Sequence, residues 1–267
     1  MKTFNQRLQS QIKRQRSHLC VGLDIKPEAL MVTNAGLDDL IDHTKKVISA
    51  THDLVVAYKP NLAFFERWGS KGYKWLESTI EIIGSETIII GDAKRGDIGS
   101  SAEQYAISLF KHFNFDAVTV SPYLGRDGIM PFLQHRGKGI FVLCKTSNPS
   151  ASEIQNVEDI DGPIYIKIAR LVMSLNAEDN IGLVIGATVP EDIKRVRDLT
   201  PNVPFLIPGI GHQGGDFERS LKFGSRNGPV LISVSRSVIF SGDQSEKSIR
   251  DMAKHYVDRM EAILDEQ

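Results

Sequence analysis

The segment Asp92-Ala93-Lys94-Arg95-Gly96-Asp97 sets two acids around a lysine directly after the apolar run Thr87-Ile88-Ile89-Ile90-Gly91. In an extended strand alternate side chains share a face, so Asp92 and Lys94 are expected to project together while Thr87 to Ile90 stay buried. Charge at the C-terminal end of an apolar strand suggests chemistry rather than packing. The plainer reading is a strand shedding polar residues as it leaves its sheet. Asp97 would then cap the next helix, and Ser100 with Glu103 has the spacing of a capping box. Capping accounts for one acid and leaves Asp92 and Lys94 without a structural role.

Three further segments could bind a ligand. In Pro208-Gly209-Ile210-Gly211-His212-Gln213-Gly214-Gly215 the glycines let backbone N–H groups approach an anion, although glycines also serve ordinary tight turns. The segment Ser233-Val234-Ser235-Arg236-Ser237 follows it, and Arg236 can give a phosphate two parallel charge-assisted hydrogen bonds or form a surface salt bridge. Lys145-Thr146-Ser147-Asn148-Pro149-Ser150-Ala151, with irregular chain expected on to Gly162-Pro163, is long for a connection. It reads as a lid over a ligand, with a plain surface loop as the alternative. His212 could touch phosphate, but an exposed loop histidine is the simpler role.

These residues need a scaffold that gathers strand ends. Short β-rich runs alternate with stretches of helical period: 19–24, 54–59, 87–92, 116–120, 139–144, 181–187, 204–208 and 230–235. Continuous apolar runs such as Val118 to Val120 and Ile140 to Leu143 suit strands covered on both faces, as in parallel sheets with crossover helices. An open doubly wound sheet gives the same alternation. The polar residues favour a closed α/β barrel, the (β/α)8 TIM barrel. Asp24, Lys59, Asp92, Lys94, Ser121, Thr146, Ser147, Thr188, the glycine loop, Ser235 and Arg236 all stand at or just beyond C-terminal strand ends, which converge on one mouth in a barrel. Loops after the seventh and eighth strands are where barrels often hold phosphate. The last helix, with Ile249, Met252, Tyr256, Met260 and Ile263 on one face, is expected to pack on the barrel.

Length and composition agree with this. A chain of 267 residues with net charge −1 fits one barrel domain over 1–267. The scattered Lys and Arg argue against a nucleic-acid partner, and Lys13-Arg14-Gln15-Arg16 reads as a solvated helix face. Phe4, Leu8 and Ile12 recur every four residues, as in an amphipathic helix rather than a signal peptide. No apolar run approaches membrane-spanning length, so no membrane partner is expected. Cys20 and Cys144 lie in apolar runs without metal-ligand spacing, which suggests buried free thiols and a cytoplasmic protein.

Taken together, Asp24, the Tyr58-Lys59-Pro60-Asn61 segment, the 92–98 block, Pro208 to Gly215 and Ser235-Arg236 resemble the orotidine 5′-phosphate decarboxylase family. The Lys145-Thr146-Ser147-Asn148-Pro149 loop resembles the family's longer bacterial branch. The central block is highly specific; the glycine loop is not. The resemblance implies a cofactor-free, metal-free decarboxylase making UMP from orotidine 5′-phosphate, and a homodimer with shared sites. It implies a charged array of Lys59, Asp92, Lys94 and Asp97, with Lys94 protonating C6 of the pyrimidine. Asp97, Ile98 and Ser101 would reach into the neighbouring subunit's site. Asp24 and Lys59 would bind ribose hydroxyls, Ser147 the pyrimidine edge, and Gln213 and Arg236 the phosphate, with Pro208 beside the base.

The implied chemistry suits the residues. Loss of CO2 from C6 leaves an sp² carbanion with no adjacent carbonyl to delocalise it, so a cation must meet it. The substrate carboxylate near Asp92 would meet a like charge, repelling by about 4 kcal/mol at 4 Å and an effective dielectric of 20. Phosphate binding by Arg236 and Gln213 could drive loop closure. Two rivals stand beside this reading. A related barrel enzyme acting on sugar phosphates through a metal-stabilised enediolate also has an Asp-x-Lys-x-x-Asp strand, but its second strand supplies an acidic metal ligand, where Lys59 would repel Mg²⁺. A catalytically silent sensor on the same fold would bind UMP and turn nothing over.

Overall fold

The computed structural model describes residues 2–211 and 215–266. Its strands in chain order are β1 (Leu19–Gly22), β2 (Ala57–Lys59), β3 (Ile88–Arg95), β4 (Ala117–Val120), β5 (Gly139–Lys145), β6 (Glu158–Asp159), β7 (Gly162–Pro163), β8 (Ile181–Ile185), β9 (Phe205–Pro208) and β10 (Val230–Val234). All but β6 and β7 pair in parallel into a closed barrel of order β1-β10-β9-β8-β5-β4-β3-β2. Each of the eight runs expected from the sequence overlaps one barrel strand, β3 and β5 running on past theirs to Arg95 and Lys145, and the open sheet is set aside. Major helices such as Leu37–Thr51, Gly69–Ile83 and Ile164–Leu175 lie between the strands.

Period-two alternation divides the apolar residues into two cores. Outward-facing Val21, Tyr58, Ile89, Val118, Val142, Leu183, Ile207 and Ile232 pack under the helices. Inward-facing Cys20, Ala57, Ile88, Ile90, Ala117, Phe141, Val184, Leu206 and Leu231 fill the barrel. The lower end is plugged by the helix Phe4–Gln15, which Thr3 and Gln6 cap reciprocally. Its Phe4, Leu8 and Ile12 join the interior core, and a Cβ on Gly139 would lie 2.2 Å from the Phe4 ring. The final helix, Glu246–Asp265, buries Ile249, Tyr256, Met260 and Ile263 as expected. Both cysteines are buried and free. No described helix is long and apolar enough to cross a membrane.

One buried cation holds two helix-to-strand connections at the lower end. Arg197 is 2 % exposed, and its guanidinium donates to the carbonyls of Gly224 (3.0 and 2.7 Å), Thr200 (3.1 Å), Val203 (2.6 Å) and Pro229 (3.1 Å). Burial lowers its pKa to about 9. Gly224 and Thr200 lie at helix C-terminal ends, whose dipoles favour a cation there. Lysine has three donors and no planar fork, so Arg197→Lys is expected to strand buried carbonyls at a cost of about 3 kcal/mol. In a chain of this size that corresponds to a Tm lower by about 6–12 °C, readable by calorimetry.

Candidate active site

Followed upward, the inward positions change character. The residues two places beyond Ala57, Ile90, Ala117 and Leu231 are Lys59, Asp92, Thr119 and Ser233, all buried. With Asp24, Asn61, Lys94, Leu143, Thr146, Ser147, Asn148, Val184, Leu206, Pro208, Gly209, Ile210, Ser235, Arg236 and Ser237 they line a cavity of about 420 Å³. That volume suits a small-molecule ligand, with an apolar floor and convergent polar groups.

At its centre Asp92, 8 % exposed, accepts from Lys59 Nζ (2.8 Å), Lys94 Nζ (2.6 Å) and Thr119 Oγ1 (2.9 Å). Burial pushes its carboxyl pKa up, but the ammoniums of Lys59 and Lys94 outweigh that and hold it well below the usual carboxylate range. Burial likewise pulls Lys59 down, and the charges of Asp92 and Asp24 more than reverse this. The pair is therefore ionised. Asp24 Oδ1 is buried without a hydrogen-bond partner among the described residues, although Asp24 lines the cavity. An acceptor in that state suits a ligand hydroxyl.

Strict alternation is not what joins Asp92 to Lys94. Strand β3 runs on to Arg95 with its register against β4 broken between Gly91 and Arg95. Lys94 sits there at φ 46°, in the left-handed region. The bulge swings the Lys94 chain over the barrel, leaving it half exposed at the mouth. Arg95 braces the bulge from behind, donating to Ala93 O at 3.2 Å and to Glu66 Oε1 at 2.5 Å.

The cavity brings together Asp24, Lys59, Asp92, Lys94, Ser147, Pro208 and Arg236. Asp97, Ile98 and Ser101 do not line it. Asp97 Oδ1 accepts from Ile98 N at 2.8 Å, and Ile98 is 55 % exposed. The expected capping box is not formed: the helix starts at Gly99 with Ile98 at its cap and no side-chain cap bond, so Ser100 lies inside the first turn. Ser121 and Thr188, also at strand ends, stay outside the lining. Gln213 and His212 lie outside the described residues.

The loop after β5 is not irregular. It folds as a 3₁₀ turn at Pro149–Ala151, a one-turn helix at Ser152–Gln155 and the antiparallel β6–β7 pair. Gln155 secures it by accepting from Thr146 N and donating to Thr146 Oγ1, both at 2.8 Å. Sequence reasoning missed Thr119, hidden in the apolar run Ala117–Val120, and Asn61, which lines the cavity and caps the helix Leu62–Glu66. An inward polar residue at the top of an apolar strand was the available signal for Thr119.

A closed parallel barrel with a lysine–aspartate–lysine array at its C-terminal mouth defines a (β/α)8-barrel enzyme acting on a small molecule. The family model described as orotidine 5′-phosphate decarboxylase / HUMPS matches residues 17–250. The orotidine 5′-phosphate decarboxylase of Halorubrum lacusprofundi is 42% identical over 255 residues, 92% of this chain and 90% of that protein. That of Herpetosiphon aurantiacus is 41% identical over 268 residues, 97% of this chain and 98% of that protein. The solved OMP decarboxylase of Leishmania donovani superposes with a TM-score of 0.86 at 37% identity, covering 98% of this chain and 99% of that one. The chain belongs to the orotidine 5′-phosphate decarboxylase / HUMPS family.

Proposed function

We propose that this protein decarboxylates orotidine 5′-phosphate to UMP and CO2, without metal or cofactor, as a homodimer of single-domain chains. The observation that carries this reading is the buried Asp92 carboxylate gripped by Lys59 and Lys94 at one mouth. The substrate carboxylate would lie beside Asp92. The C6–carboxylate bond breaks, CO2 departs and the electron pair stays on C6. Lys94 Nζ, within reach of that site, stabilises the pair by its charge and then gives C6 a proton; the amine regains one from water. Asp24 and Lys59 bind ribose hydroxyls, Ser147 reads the pyrimidine edge, Pro208 packs on the base, and Arg236 and Gln213 hold the phosphate. Asp97, Ile98 and Ser101 complete the partner's site.

The relatives named above favour this substrate over sugar phosphates, and so does Lys59 at the position where a divalent cation would need an acid. The test is conversion of orotidine 5′-phosphate in excess EDTA, followed by pyrimidine ultraviolet absorbance. Rapid conversion is expected. Activity lost in EDTA and restored by Mg²⁺ would favour the metal-dependent rival, and tight UMP binding without any turnover would favour the silent sensor.

A further inference from the structure

We infer that Thr119 is a positioning residue for the proton donor, its hydroxyl tying the left-handed backbone of Lys94 to the carboxylate of Asp92. The inference rests on the decarboxylase reading above. Across the β3 bulge Gly91 pairs with Val118 and Arg95 with Val120, so the ladder passes over residues 92–94 and their N–H groups need other partners. Asp92 N is already satisfied on the β2 side, donating to Pro60 O at 2.9 Å in a parallel bridge with Asn61. Lys94 N donates to Thr119 Oγ1 at 2.9 Å, so a side chain takes the place of the missing ladder bond.

The same oxygen donates to Asp92 Oδ1 at 2.9 Å, and Thr119 is 1 % exposed. An ionised carboxylate only accepts, so the hydroxyl hydrogen must point to Asp92, which leaves a lone pair for the Lys94 amide. One hydroxyl thus fixes both ends of the path from Asp92 to the Lys94 ammonium. The left-handed conformation of Lys94 costs about 1–2 kcal/mol and persists only if its surroundings enforce it. Without the bond to Thr119, β3 can relax toward ordinary strand geometry and draw the ammonium away from the reacting carbon. Ribose and phosphate contacts on other strands would be untouched.

The test compares Thr119→Val, nearly isosteric and without the hydroxyl, with Thr119→Ser, which keeps it. The Val variant is expected to lose about 100-fold in kcat, the cost of an ångström-scale misplacement. Its KM and UMP Kd should stay within about threefold of wild type, and the Ser variant should regain most of kcat. Thr119→Ala, smaller and equally hydroxyl-free, should match Val and replaces it if Val does not fold. A folded hydroxyl-free variant with kcat near wild type overturns the inference. So does a parallel loss of kcat and UMP affinity, which marks general distortion, or a Ser variant as slow as Val. Wild-type protein that does not turn over orotidine 5′-phosphate defeats the functional reading instead, whatever the variants do.

Discussion

Lys94→Ala is expected to lose at least about 10⁴-fold in turnover while still binding UMP measurably. Both halves follow from where Lys94 sits. Its Nζ, 2.6 Å from Asp92 Oδ1, is the half-exposed cation of the array, whereas Lys59 is buried on the far oxygen of the same carboxylate. Truncation removes the proton donor and the charge facing the developing carbanion together, and both act mainly in the transition state. Asp92 keeps Lys59 and Thr119, so the fold and the pocket are retained. Ligand contacts assigned to Asp24, Ser147 and Arg236 lie elsewhere in the cavity, so product affinity should hold. Single-turnover kinetics with UMP titration by calorimetry separates the two. Substantial residual turnover would remove Lys94 as donor, and lost UMP binding would make it a binding residue.

The second expected result concerns Asp97. Alone, Lys94→Ala and Asp97→Ala proteins should be inactive; mixed and allowed to exchange subunits, they should recover activity. Asp97 leaves the array just before the helix that begins at Gly99, lies outside the cavity lining of its own chain, and is followed by the exposed Ile98. If it serves a neighbouring site, each mixed dimer holds one site with both residues intact. Equal mixing then gives half mixed dimers and about a quarter of wild-type activity. Mass spectrometry of the mixture establishes exchange. Full exchange with no recovery would return Asp97 to its own subunit or to a structural role.

Much of this molecule was legible because its signals are local. Every barrel strand overlapped its expected run, with β3 and β5 continuing past theirs to Arg95 and Lys145, since alternation and β-branched runs are properties of a few consecutive residues. Asp24, Lys59, Asp92, Lys94, Thr146, Ser147, Gly209, Ser235 and Arg236 could be placed at strand ends and share one mouth, because a parallel barrel puts all those ends together. Ser121 and Thr188 met the same criterion and missed the cavity, because position at a strand end does not set the direction in which a loop carries its side chain.

The loop after β5 seemed featureless in sequence because its order comes from Gln155 folding back onto Thr146, a contact between residues nine apart. The capping box at Ser100 and Glu103 was a sound local pattern overruled when the helix began earlier, at Gly99.

The sequence by itself determined the eight strands with helices between them, and the chemical identity of the charges at the mouth. These follow from periodicity and composition along short stretches of chain. Only the tertiary structure decided that β3 bulges, that Lys94 takes a left-handed backbone, that Thr119 joins it to Asp92, and that Asp97 stands apart. A bulge exists only relative to the strand beside it, and a hydroxyl's partners depend on that register, so neither can be read from one segment alone.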